Sequence, residues 1–481
     1  MSRQAGRPAG GKPFPTPDFE LVLITGVCML LPVMVTLDAT VVNVAQRTFI
    51  DEFSSTQAVV GWTMTAYTLS LAAVIPLTGW AANWVGTKRL VICSVLLFTL
   101  GSLLCALASN IALLVAFRAL QGLGGGMLMP LQLIILARAA GPERLGRVLT
   151  ISIIPVLMAP ICGPILGGWL IDSFGWQWIF LINIPIGMFT LVLAGLILPQ
   201  DDSASTTSFD VVGMALLSPG LVALLYGISR IPERAAITAA YIWVPAALGL
   251  LLIGAFVVHA VRRADRALID LRLLKNRGVA AANATRFLFA VAFFGCCLVF
   301  PGYFQQVLGK TPFQSGLLLL PQTLGAAAVM PVVGREMERR GPRGIVLIGT
   351  LLLATGLGIF VLGISRHHGD VPMLLAALAV FGLGSGCLMI PVAWSAVNTL
   401  DSSEIAHGST LFNVNHHTAA AVGAALMSVI LTSRFRADDL DRAYATVFVV
   451  ATVLVVAIAI PASFLPKKRT PPRQLARIDP L

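Results

Sequence analysis

Arg118 and Gln121 place a guanidinium and an amide inside a run that is otherwise lipid-like from Ile111 to Leu136, in the stretch Phe117-Arg118-Ala119-Leu120-Gln121-Gly122. Arginine does not shed its proton, so at membrane depth it must face a protein interior or a wet cavity and find a partner. In the first half of the chain the strong candidate is Asp38, in Leu37-Asp38-Ala39-Thr40-Val41-Val42-Asn43-Val44-Ala45. If the first apolar stretch ends outside near Ala45 and the fourth enters from outside near Ile111, both side chains lie seven residues in. That is roughly 10 Å below the outer surface at about 1.5 Å per residue. Burial favours a neutral acid, a neighbouring guanidinium favours the carboxylate, and opening to either side changes both, as a proton-coupling site requires. The competing reading is a permanent ion pair that fixes two helices.

A second polar group lies far along the chain. Asn413, His416 and His417 share a helix face at i, i+3 and i+4, and histidine titrates near physiological pH. They are candidates for a proton or substrate role, with one of the two adjacent rings expected to face a cavity and a hydrogen-bonded structural histidine as the alternative. Arg286, about seven residues into the ninth apolar window, is expected to snorkel to the surface. Trp62, Met64, Tyr67, Phe287 and Phe294 are candidate cavity lining, with ordinary core packing as the other reading. Asn43, Gln305 and Gln306 complete the candidate substrate contacts.

The elements that must hold these groups are set by composition. Hydrophobic residues make up 57% of the chain and charged residues 11%, against about 25% charged in a soluble domain, so this is a polytopic membrane protein. The net charge of +11 comes from bases in short loops, without a basic face interleaved with stacking aromatics, which excludes a nucleic-acid partner. The seven cysteines all fall in apolar segments with neither disulfide nor metal spacing. Windows long enough to cross a bilayer run near 21–45, 58–81, 90–108, 111–137, 148–170, 177–198, 211–230, 239–261, 279–301, 313–333, 344–364, 372–398, 406–431 and 444–465, fourteen in all. Loops rich in Lys and Arg, above all 262–277, favour both termini in the cytoplasm. The acidic segments around Asp201 and Glu404 and the basic Arg434 and Arg436 fit that rule badly.

An internal echo divides the chain. Gly79-Trp80-Ala81-Ala82-Asn83-Trp84-Val85-Gly86-Thr87-Lys88-Arg89 matches Gly334-Arg335-Glu336-Met337-Glu338-Arg339-Arg340-Gly341-Pro342-Arg343 in its paired glycines and basic stop. The spacing is eight windows, which a six-helix unit repeated around two extra helices would produce. Such repeats flanking a central site are a transporter architecture. The predicted fold is therefore all-α, fourteen transmembrane helices in two six-helix halves plus two linking helices. The expected boundaries are a cytoplasmic tail 1–20, bundles 21–198 and 279–465, a linking region 199–278 with its basic loop, and a second cytoplasmic tail 466–481.

These stretches together resemble the major facilitator superfamily, specifically its fourteen-span drug:proton antiporter branch, over nearly the whole chain. The carrying motifs are Leu37 to Ala45, Gly79 to Arg89, Arg118-Ala119-Leu120-Gln121-Gly122, Ala159-Pro160-Ile161-Cys162-Gly163-Pro164-Ile165-Leu166-Gly167-Gly168, and Trp176 to Gly187. The resemblance implies conformational gating by Gly79, Asn83, Gly86, Lys88 and Arg89, where Asn83 stands in place of the family's usual aspartate and Glu338 keeps the acid in the second half. It further implies that Gly163, Pro164, Gly167 and Gly168 form a deformable seam, tight helix packing being the other reading. Proton coupling falls to Asp38, Arg118, His416 and His417.

The function expected is proton-driven export of lipophilic small molecules or drugs across the cytoplasmic membrane by alternating access. The alternative is a dedicated exporter of an endogenous metabolite, lipid or siderophore. Asp38 is the one clear carboxylate at membrane depth, so a neutral or monocationic substrate is expected. No Gly-x4-Gly-Lys-[Ser/Thr] loop for ATP occurs, no cofactor or metal is expected, and no clustered nucleophile and base point to an enzyme. The expected partners are the small-molecule substrate, protons and the lipid bilayer, with an accessory periplasmic partner left open.

Overall fold

The computed structural model describes residues 18–200, 210–229, 240–263, 268–310, 312–365, 370–398, 400, 404–435 and 440–467, and all regular structure among them is helical. The first group comprises α1 (Asp18–Val44), α2 (Trp62–Val74), α3 (Leu77–Val85), α4 (Thr87–Ala106), α5 (Ile111–Gly125), α6 (Leu128–Phe174) and α7 (Asn183–Ile197). Two further helices follow, α8 (Val211–Ser229) and α9 (Ala240–Arg263). The second group is α10 (Arg277–Gln306), α11 (Leu320–Arg340), α12 (Pro342–Ser365), α13 (Val371–Val397), α14 (Ile405–Phe435) and α15 (Leu440–Ala457). Short helical segments such as Gln46–Glu52 and Trp178–Leu181 join them.

Local chemistry sets the helix ends. Asn110 caps α5 by accepting from the Leu113 amide at 2.9 Å, and Asn276 and Asp370 act similarly at α10 and α13. Pro76 lies in the break between α2 and α3, which bend by 56°. Gly86 (φ 92°) and Gly341 (φ 78°), the second glycines of the two echoed motifs, both turn the chain in the positive-φ region that a side chain disfavours. The echo is thus a repeated turn as well as a repeated spelling.

The fourteen expected spans do not all appear as long apolar helices. Among the described residues eleven helices are long and apolar enough to cross a membrane, or twelve if the bent α2–α3 pair is one span. Val211–Gly227 is apolar but shorter. The window 148–170 is the second arm of α6, a 47-residue helix whose backbone turns at Gly141 (φ 64°, ψ 175°).

Helix packing relies on missing side chains. A methyl group added at Gly101 of α4 would sit 2.7 Å from the Gln121 Cα, and one at Gly124 of α5 would sit 2.5 Å from the Phe98 amide nitrogen. The two backbones therefore touch. Gly122 brings α5 equally close to the Tyr67 carbonyl of α2. At the end carrying the Gly86 and Gly341 turns, the two groups close on each other. The Cβ position of Gly79 lies 2.7 Å from Thr410 Oγ1 of α14, that of Gly334 lies 2.6 Å from Thr150 Oγ1 of α6, and the Gly146 position meets the Met337 methyl. Ser409 Oγ donates to the Pro130 carbonyl at 3.1 Å.

Helix α8 packs on α2 and α14 as well as on α9. Ser218 Oγ donates to the Ala73 carbonyl at 2.6 Å, and Trp62 lies against Tyr226 with ring centroids 5.7 Å apart. Just before α8, Asp210 accepts from the Gly213 and Leu268 amides at 2.9 and 3.1 Å and lies 2.8 Å from His259 Nε2. Burial alone would raise the Asp210 pKa, but these bonds outweigh it and hold the carboxyl below its ordinary value.

Candidate transport site

The close approaches among α2, α4 and α5 surround Asp38 with a polar cluster in which side chains of α5 and α7 bond it directly. Arg118 Nη1 donates to Asp38 Oδ2 at 2.6 Å, with both side chains fully buried. Asp38 Oδ1 accepts from Gln121 Nε2 and from Asn183 Nδ2 of α7, each at 2.8 Å. Ser102 Oγ of α4 accepts from both amides, at 2.5 and 3.2 Å. Arg118 also donates from Nη1 to Gln121 Oε1 at 2.6 Å and from Nε to the Thr63 carbonyl at 3.2 Å. Its guanidinium carbon lies 4.0 Å from the Tyr67 ring centroid. A buried carboxylate is tolerable only when its lone pairs are met, and here a bond to a fixed cation and two amide donors meet them.

Tyr67 belongs to two environments. One face of its ring covers Arg118, and the residue also lines a cavity of about 390 Å³ between the two helix groups. From the first group the walls include Met64, Tyr67 and Gln132; from the second they include Arg286, Phe289 and His416. Asn413, Phe294 and His417 also face it. A smaller space of about 300 Å³ between α2 and α14 shares Met64, Thr68, His417 and Ala420 with it and reaches Leu225 of α8.

The expected site residues thus divide. Asp38 and Arg118 meet directly, while His416 and His417 lie together on the cavity wall, with ring centroids 5.1 Å apart. Both histidines line the cavity, because the wall wraps around α14 and adjacent positions share it. Tyr67 and Asn413 line it too. Trp62 instead stacks against α8. Phe287, turned about 100° around the helix from Arg286, packs in a small cluster with Ala290, Val291 and Ala419. Asn43 and Gln305 are exposed, and Gln306 accepts from the Tyr444 hydroxyl at 3.0 Å. Arg286 does not snorkel, being 9% exposed, because its position on α10 points between the groups rather than outward.

Among the gating candidates, Asn83 Oδ1 accepts from Arg138 Nη2 at 2.9 Å, so the amide keeps a basic partner without its own charge. Lys88 is half-buried and Arg89 exposed. A Cβ added at Gly163 would run into the Thr40 side chain and one at Gly167 would lie 3.1 Å from Val41 Cγ1, both on α1, whereas one at Gly168 would meet open space. The side chains of Pro164 and Glu338 lie outside the described residues.

A family model described as Major Facilitator Superfamily matches residues 28–261 and 282–480. The chain belongs to the major facilitator superfamily. Within it, the "Multidrug resistance protein B homolog" of Mycobacterium tuberculosis (strain ATCC 25618 / H37Rv) is 48% identical over 512 residues, covering 98% of this chain and 95% of the relative. The "Multidrug export protein EmrB" of Escherichia coli (strain K12) is 28% identical over 425 residues, covering 87% and 82%. A double-tryptophan mutant of XylE has the same fold, with a TM-score of 0.70 at 12% identity over 94% of this chain and 97% of that one. Membership in this superfamily makes the chain a multi-pass membrane protein of a transporter family, with a small-molecule substrate and a lipid bilayer as its surroundings. Of the Asp38 shell, Gln121 and Asn183 lie inside the family motifs, where their amide chemistry was visible. Ser102 stands in an unremarkable apolar run, and only the Gly101 contact brings it to the site.

Proposed function

We propose that this chain is a proton-coupled antiporter that exports lipophilic small molecules, drugs among them, across the cytoplasmic membrane by alternating access. The names of its relatives, which are multidrug resistance and export proteins, support the substrate side. The observation that carries the coupling is Tyr67, which covers Arg118 at 4.0 Å and forms part of the cavity wall. A change in occupancy at that wall moves the ring that shields the Asp38–Arg118 pair, and a change in Asp38 protonation releases the guanidinium beneath the ring. Substrate and proton can therefore bias the same two-state element, which is the physical requirement for coupling.

In this reading the chain has fourteen spans, two six-helix halves and two linking helices, with both termini in the cytoplasm, and it needs no cofactor. The contacts of Gly79, Gly334 and Ser409 then seal the cytoplasmic end, and the seal must open to load substrate. Asp38, Arg118, His416 and His417 are the proton-coupling candidates, with Asn83, Gly86 and Glu338 serving the gate. The test is movement of a lipophilic fluorescent dye in proteoliposomes with an imposed proton gradient. Dye movement that follows the gradient and stops when a protonophore is added supports antiport, whereas movement indifferent to the gradient contradicts it.

A further inference from the structure

Among the described residues, the cavity wall holds a fixed cation and no fixed anion. Among the described lining residues Arg286 alone carries a permanent charge, and no described aspartate or glutamate lines the cavity. Asp38, the buried carboxylate beside Arg118, is already occupied by Arg118, Gln121 and Asn183. Arg286 is flanked by rings, its guanidinium carbon 5.1 Å from the Phe412 centroid and 5.9 Å from that of Phe289. Those contacts satisfy the flat faces of the guanidinium but not its N–H edge, and Arg286 Nε is buried without a hydrogen-bond partner among the described residues. Beside it, His416 Nδ1 and His417 Nε2 are buried and equally unpartnered. A guanidinium left in this state is costly, and a bound oxyanion would relieve it with charge-assisted bonds.

From this arrangement we infer that Arg286 is the counter-charge for the transported molecule, so that the cavity takes lipophilic monoanions, compounds with one carboxylate or sulfonate on an aromatic or acyl body. The inference rests on the cavity being the transport site proposed above. The head group accepts from the Arg286 N–H edge, within reach of the histidine face of α14. The body lies against Phe289, Phe293, Phe294 and Met389, which supply apolar surface and ring edges. Of the neutral and monocationic substrates expected from the scarcity of acids in the sequence, the monocation meets the opposite difficulty here. It would enter a dry space already holding a positive charge, with no carboxylate among the described wall residues to offset it.

The experiment uses the full chain in proteoliposomes with an imposed proton gradient and three probes: anilinonaphthalene sulfonate as the anion, ethidium as the cation and Nile red as the neutral dye. Each is measured for binding and for gradient-driven movement, in wild type, Arg286→Met and Arg286→Lys. Wild type should bind the sulfonate at least tenfold more tightly than ethidium. Arg286→Met should lose at least tenfold of the sulfonate affinity, and Arg286→Lys should recover part of the loss. Elution of each variant at the wild-type position on size exclusion in detergent shows that the variants fold. A wild type that prefers ethidium, or an Arg286→Met variant that binds the sulfonate as wild type does, overturns the assignment while leaving the export reading intact. A wild type that moves none of the probes with the gradient overturns the export reading itself, and the assignment with it.

Discussion

Asp38 Oδ1 accepts from two amides on different helices, Gln121 on α5 and Asn183 on α7, so each amide ties a helix to the Asp38–Arg118 pair. Replacing Asn183 by leucine removes one of those donors and leaves the oxygen with Gln121 alone. The cost is about 1–3 kcal/mol if the lost bond is not replaced. Asn183→Leu should therefore slow gradient-driven transport by about tenfold or more while the protein still reaches the membrane. Transport rates in proteoliposomes, normalised to reconstituted protein, provide the check, and an unchanged rate would remove Asn183 from the site. Asp38 and Arg118 were legible from sequence because a charge in an apolar run demands a partner and residue counting puts both at one depth. The Asn183 amide could be read as present but not as directed, since that depends on how α7 is rotated against α4. Arg286 was misjudged for the same reason. Distance from a helix end suggested snorkelling, whereas the face it occupies buries it between the helix groups.

Glycines decide the contacts between elements, and the structure separates those that matter from those that merely fit the motif. Gly163 and Gly168 belong to one motif, yet a Cβ at Gly163 would clash with the Thr40 side chain of α1 and one at Gly168 would meet nothing within 4 Å. Thr40 Oγ1 also reaches the Ala159 carbonyl at 3.3 Å, so a side chain at Gly163 disturbs the α1–α6 seam two residues beyond Asp38. Gly163→Val should reduce transport by at least about tenfold, in line with an overpacking cost of about 1–3 kcal/mol. Gly168→Ala should stay within about twofold of wild type. Similar losses from both would mean that the motif acts through helix flexibility and not through this contact. The sequence pattern put Gly163 and Gly167 on one face correctly, since that follows from helical periodicity. It had no means of saying which neighbouring helix the face meets. The repeated turn was more readable, because Gly86 and Gly341 adopt positive φ for a reason visible in the residue type.

At the scale of the molecule, the first and second helix groups meet at the basic-loop end through small residues, and the echoed glycines Gly79 and Gly334 each contact a helix of the other group. This arrangement gives the repeat its purpose: each copy supplies a flat place for its partner to close on. The Cβ position of Gly334 lies 3.4 Å from the Thr150 Cβ, close to the spacing of about 3.5–4.5 Å found in disulfides. The pair Thr150→Cys with Gly334→Cys should therefore cross-link on oxidation, arrest transport and recover when reduced. Undiminished transport by the cross-linked protein would show that this end does not open in the cycle. The all-helical, multi-pass character was plain from composition, and the spacing of the echo led to the expectation of two extra helices. Their seat was not, because the packing of α8 across α2 and α14 depends on Ser218, Tyr226 and other contacts that no periodicity encodes.

The coupling proposal rests on Asp38, and its most direct test separates coupling from movement. Asp38→Asn keeps the shape of the side chain and removes its charge and its proton exchange, although it leaves Arg118 short of a counter-ion. Substrate counterflow, which needs the conformational cycle but no net proton movement, is measured beside gradient-driven accumulation in the same proteoliposomes. The account predicts that the variant keeps counterflow and loses accumulation. Accumulation against a substrate gradient by Asp38→Asn, at the wild-type level, would contradict it.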